Sequence, residues 1–137
     1  MPHKFFLFAA DGYPPYGTTM VTTRKFMEAN PDLVRRFVRT SLEGWKNYIE
    51  NPGPANVLIK EANPKMSDEQ IAFGIQRMKE LKVLDGGDAA THGIGVMNEE
   101  RWRKTYDYLV DAGLLKPDTD WKKAFTTEFT KDLKIMM

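Results

Sequence analysis

The run from Asn30 to Pro54 constrains this chain more than any other part of it. Asn30-Pro31-Asp32 supplies a side-chain acceptor, a proline with its fixed φ and an acid, in the order that opens a helix. Leu33, Val34, Phe37, Val38, Ser41, Leu42, Trp45, Tyr48 and Ile49 then recur at helical spacing. Asn51-Pro52-Gly53-Pro54 stops the pattern. An apolar stripe on a helix this long has to be covered by other elements, so the chain is committed to a packed helical body.

Everything after Arg24 reads as helical. A shorter helix over roughly Ala55 to Glu61 ends before Asn63-Pro64. Ser67 with Gln70 makes a capping-box pattern ahead of Ile71, Ile75, Met78 and Leu81. A glycine-rich connection, Asp85 to Gly95, has no clear period. Asn98 opens the last long helix, which carries Trp102, Tyr106, Leu109 and Val110 and closes at Gly113. Trp121, Phe125, Phe129 and Leu133, spaced by four, predict short helices packed on the body. Ahead of Arg24, two β-type runs, Lys4 to Ala10 and Thr18 to Thr23, flank a glycine-bounded turn stiffened by Pro14-Pro15. Two strands alone make a marginal sheet, so the pair is expected to join a larger one, supplied elsewhere or by another chain.

Composition removes several function classes. Lys plus Arg number 20 and Asp plus Glu 19, leaving a net charge of +1. That balance gives no electrostatic reason to expect nucleic acid or an anionic membrane as partner. There is no cysteine, hence no disulfide, thiolate nucleophile or cysteine-based zinc site. The two histidines, His3 and His92, are far apart, so neither a metal nor a cofactor is expected. The apolar stretch near the amino terminus is about six residues, short of the ~7–15 of a signal peptide. No segment approaches the ~18 apolar residues of a membrane span, and membrane insertion is not expected.

The segment Tyr13-Pro14-Pro15-Tyr16-Gly17-Thr18-Thr19 is the most informative for chemistry. It reads either as a rigid hairpin connection whose tyrosines cover the core, or as a preshaped binding element. In the second reading the prolines lower the ordering cost and the tyrosines offer flat faces with hydroxyl handles. Gly93-x-Gly95 lacks the third glycine, the preceding strand and the Lys-Ser/Thr pair of a phosphate loop. Asp85 and Asp88 lack the remaining ligands of a calcium loop. His92 reads as a hydrogen-bonded loop residue. Ser41 and Ser67 have helix-interior and N-cap explanations, and Asp68-Glu69 and Glu99-Glu100 lie in first helical turns. No catalytic constellation emerges, and an enzyme is not expected. Phe37, Trp45 and Tyr48, with Trp102 and Tyr106, read as core; exposed, the same stripe would be an association surface.

The run Asp11 to Thr23 closely resembles a segment of the nitrate/sulfonate/taurine-type ABC transporter solute-binding proteins, a group that includes binders of the pyrimidine precursor of thiamine. Asn30-Pro31-Asp32-Leu33-Val34-Arg35-Arg36-Phe37-Val38 and Ser41-Leu42-Glu43-Gly44-Trp45 are similar to the helix that follows, and Trp102 to Leu115, Phe125-Thr126 and Phe129 to the family's final helices. The resemblance implies an α/β fold of the type II periplasmic-binding-protein kind, of which residues 1–137 would be a single carboxy-terminal portion. Residues 1–23 would form strands and a crossing segment, and residues 24–137 a helical part. It implies capture of a sulfonate, nitrate, taurine or thiamine precursor outside the cytoplasm, in the periplasm of a two-membrane cell, with an ABC permease and ATPase as partners. By the same resemblance Asp11, Tyr13, Tyr16, Thr18 and Thr19 would contact the solute. An alternative reading is a helical interaction fragment that binds no ligand and associates with another copy, through an unpaired sheet edge, or with a missing half; a weaker one is an enzyme like the thiamine-pyrimidine synthases that share the fold.

Overall fold

Thr23 starts the helical part by accepting a hydrogen bond from the Phe26 N–H through Oγ1 at 3.1 Å. In this structure, a computed structural model describing Phe6, residues 8–13 and residues 15–137, that bond opens α1, Arg24–Ala29. Asn30 then ends one helix and begins the next, α2, Pro31–Glu50. The sequence makes Asn30 the N-cap of α2, yet its side chain turns back and donates to the Phe26 carbonyl at 3.1 Å. Pro31, at the first helical position, has no N–H and so removes one of the unpartnered donors at the start of α2, while the Asn30 side chain caps none of the others.

Helix α3, Gly53–Ala62, follows the Asn51-Pro52 break. Ser67 and Gln70 build the expected capping box at the head of α4, Asp68–Glu80. The Gln70 N–H donates to Ser67 Oγ at 3.2 Å, and the Ser67 N–H to Gln70 Oε1 at 2.9 Å. A short helix, α5, Ala89–His92, lies inside the glycine-rich connection. Asn98 caps α6, Glu99–Asp111, with Oδ1 accepting from the Arg101 N–H at 2.7 Å. Gly113, at φ +70°, closes its end in a conformation that suits glycine.

The two amino-terminal strands are a correction. Lys4, Phe5 and Leu7 lie outside the described residues, and Phe8–Asp11 is a 3-10 turn. Residues 18–22 form no element and are exposed, and Val21 is 87% exposed. No strand occurs among the described residues. The physical reason is that a strand is completed by a neighbour: extended Thr-Thr-Met-Val-Thr-Thr backbone has β-branched propensity but no ladder to pair with. The sheet edge invoked for self-association is therefore absent from the described residues.

The chain divides into two compact units. One joins the described part of Met1–Val21 to Met97–Thr127; the other joins Thr22–Val96 to Glu128–Met137. The second contains an apolar core of Val38, Leu42, Ile94 and Phe129, with Met27, Val34, Leu84, Leu133 and Ile135 packed around it. Its carboxy-terminal tail is held by the Ile94 N–H, which donates to the Ile135 carbonyl at 2.8 Å, and by Lys46 Nζ on the Met136 carbonyl at 2.7 Å.

The four-residue rhythm of the tail does not make a run of helices. Trp121–Ala124 is a 3-10 turn and Phe125 is extended, followed by turns from 128 to 133. Trp121 and Phe125 belong to the first unit, Phe129 and Leu133 to the second. Phe37 and Trp45 also depart from the core reading, at 62% and 43% exposed. Helix α2 turns Val38, Leu42 and Ile49 inward, and the flank bearing Leu33, Phe37 and Trp45 is uncovered among the described residues.

Candidate functional site

The first unit is organised by aromatic rings. Trp102, on α6, stacks on Phe125 with centroids 4.9 Å apart and planes 7° from parallel. Phe125 continues to Trp121 at 6.3 Å and 6°, and Trp121 to Tyr106 at 6.0 Å and 26°. Trp102 also meets Tyr16, with centroids 6.0 Å apart and planes tilted by 40°. The Lys122–Glu99 ion pair and the bond from Tyr106 Oη to the Pro117 carbonyl tie the 121–124 turn and its approach to α6. Glu100, in the first turn of α6, is held below the ordinary glutamate pKa by the hydrogen bond from Lys104.

Among the described residues, the indole N–H of Trp102 is buried without a hydrogen-bond acceptor. Leaving such a donor unsatisfied costs about 1–3 kcal/mol. Half-burial of an indole ring returns roughly 2–4 kcal/mol by area, and parallel stacking adds to it. The stack outweighs the orphaned donor.

The Tyr13–Thr19 segment sits against this array. Tyr16 is half-buried, with the Arg101 guanidinium 4.2 Å from its ring centroid and its hydroxyl oxygen accepting from the Asn98 N–H at 2.9 Å. Arg101 Nη2 also donates to the Pro15 carbonyl at 3.2 Å. Tyr13 stands differently. Its N–H donates to the Phe8 carbonyl at 3.0 Å, its ring meets Phe8 and Tyr108 edge-on at 6.3 Å each, and it is 50% exposed.

Of the five residues singled out from the sequence, Tyr16 thus joins the Trp102 array, while Tyr13 belongs to a separate ring cluster with Phe8 and Tyr108. Asp11, Thr18 and Thr19 are exposed beside them on the same segment. The sequence did not pick Arg101 or Asn98, which hold the segment in place. Asn98 reads there only as a helix cap, and the distance along the chain to Tyr16 hides the second bond.

An open groove of about 380 Å³ in the other unit is lined by Ser41, Gly44, Trp45, Tyr48, Ala55 and Ile59. Its polar provision is slight, because the Tyr48 hydroxyl is engaged by Asn56 Oδ1 at 3.1 Å. A ligand site needs a few polar groups converging on its occupant. His92 is a hydrogen-bonded loop residue, with Nδ1 2.8 Å from Thr91 Oγ1 and 3.2 Å from the Asp88 carbonyl. Among the described residues no three metal-ligating side chains converge, and no helix is long and apolar enough to cross a membrane.

Residues 2–55 match the family described as NMT1/THI5 like. The chain is also similar to the riboflavin-binding protein RibY of Chloroflexus aurantiacus, at 31% identity over 124 residues. That alignment takes in 90% of this chain and 35% of the relative, so the chain spans about a third of the length of the curated relative it matches. No solved structure matches it.

Proposed function

From these matches, which support an ABC-type solute-binding family of the NMT1/THI5-like kind, we propose that the chain forms part of the extracytoplasmic substrate-binding component of an ABC importer, and that its solute is riboflavin or a similar flat heteroaromatic molecule. The observation that carries this is the likeness to a riboflavin-binding relative, which covers 90% of the chain. The ring chemistry agrees. A flat heterocycle gains from stacking against an exposed tyrosine, with hydroxyls and loop amides fixing its polar edge. Nitrate, taurine or another sulfonate would instead call for cationic donors aimed at the solute. The guanidinium nearest the segment, Arg101, is engaged with the Tyr16 ring and the Pro15 carbonyl. A permease and an ATPase are the partners such a component serves.

Titration of riboflavin, thiamine, taurine and nitrate into the natural polypeptide that carries this sequence tests the reading. Saturable quenching of flavin fluorescence, with no heat from taurine or nitrate, is expected. Binding of an anion with no response to riboflavin would overturn the solute assignment, and silence to every solute would overturn the transport role.

A further inference from the structure

Two helices in this chain carry the same cap requirement and meet it in different ways. At α4 the N-cap residue Ser67 and the third helical residue Gln70 satisfy each other's backbone N–H groups within one turn. At α6 the N-cap residue Asn98 satisfies the Arg101 N–H, but the third helical residue is Arg101 itself. A guanidinium has donors only, so it cannot accept the Asn98 N–H in return. The Tyr16 hydroxyl oxygen takes that place at 2.9 Å from 82 residues away.

We infer that Tyr16 is a positioning residue: its hydroxyl completes the α6 capping box from outside the helix, and Arg101 clasps the Tyr16 ring and the Pro15 carbonyl so that Tyr13 is the ring presented to a solute. The inference rests on the binding role proposed above only for what Tyr13 faces; the latch itself rests on geometry. Three groups act together in it. The Asn98 amide fixes the phenol oxygen, the guanidinium lies 4.2 Å from the ring centroid, and the same guanidinium holds the preceding carbonyl. A side chain committed in this way on its oxygen and on its ring is a support. Tyr13 is half exposed, and among the described residues its hydroxyl and ring carry no such clasp, only the T-shaped contacts with Phe8 and Tyr108 at 6.3 Å each.

Amide hydrogen exchange on the whole chain reads the latch without any solute. Tyr16→Phe removes the acceptor and keeps the ring, so exchange at Asn98 should quicken by roughly five- to tenfold. Exchange at Ser67, the equivalent amide of a self-sufficient capping box, should not change. Arg101→Gln supplies a local acceptor and removes the clasp. It should therefore protect Asn98 even when combined with Tyr16→Phe, while exchange at Tyr13 quickens. Unchanged Asn98 exchange in Tyr16→Phe, or no rescue by Arg101→Gln, overturns the latch. With riboflavin as probe, Tyr16→Phe should weaken binding by roughly threefold to tenfold, and Tyr13→Ala should weaken it more. Equal or greater loss in Tyr16→Phe would make Tyr16 the contact and overturn the assignment. Absence of riboflavin binding in the unaltered protein would overturn the functional reading and leave the latch standing on its exchange pattern.

Discussion

Replacing Gly93 by alanine should detach the carboxy-terminal tail from the second unit. Gly93 has φ +97°, and a Cβ built there would lie 2.8 Å from the Ile135 nitrogen, 2.9 Å from its oxygen and 3.0 Å from the Lys134 carbonyl carbon. These are backbone atoms, which have no rotamer to escape into. The left-handed conformation alone costs a non-glycine residue about 1–3 kcal/mol. If the tail moves away, the bond between the Ile94 N–H and the Ile135 carbonyl goes too, at about 0.5–1.5 kcal/mol. Partial exposure of Ile135, which packs on the core, adds roughly 1–2 kcal/mol. The expected loss is about 3–6 kcal/mol. Gly113→Ala is the control: φ is +70° there, but nothing lies within 4 Å of the added carbon, so only strain of about 1–2 kcal/mol is expected. Urea unfolding followed by circular dichroism separates the two, since a slope of ~1–3 kcal/mol per molar turns the difference into a midpoint gap of about 1 M or more. Equal midpoints for the two variants would refute the close-approach argument.

Leu42→Ala should cost about 2–5 kcal/mol, because Leu42 is 5% exposed and shares its core with Val38, Ile94 and Phe129. It should also relieve Gly95→Ala, whose added carbon would sit 2.5 Å from Leu42 Cδ2; strict additivity in the double variant would refute that contact. Glu80 accepts hydrogen bonds from Arg77 and Gln76 at 2.7 Å each, which lower its pKa below the ordinary glutamate value. A depressed folded-state pKa means the stabilisation is present above the unfolded-state value and is lost as pH falls through the folded one. The last turn of α4 should therefore lose amide protection as pH falls below the ordinary glutamate range, and Glu80→Gln should flatten that dependence; an unchanged profile in the variant would refute the assignment.

The features legible in the sequence are those whose causes are local. Ser67 and Gln70 sit within one helical turn of each other, so the capping box of α4 can be read from four residues and is found in place. Gly113 ends α6 for a reason carried by one residue's φ. The features that were misread or missed have non-local causes. Residues 18–23 have the composition of a strand, but pairing is decided by a neighbour that their own side chains cannot specify. The tail keeps its four-residue aromatic spacing while sending Trp121 and Phe125 to one unit and Phe129 and Leu133 to the other, because Phe125 is extended and breaks the helical period. Asn30 shows the competition within a single residue: its side-chain amide serves the helix behind it, through Nδ2 on the Phe26 carbonyl, and does not cap the one ahead. Arg101 is the instructive case for the candidate site. At the third helical position it looks like a missing capping partner, a small local defect. That vacancy is what requires an acceptor from elsewhere, and the requirement is met by a tyrosine whose own segment is shaped by prolines and glycines. An arginine where a capping box calls for Glu or Gln is thus a sequence signal for a long-range contact, provided a hydroxyl-bearing turn lies elsewhere in the chain.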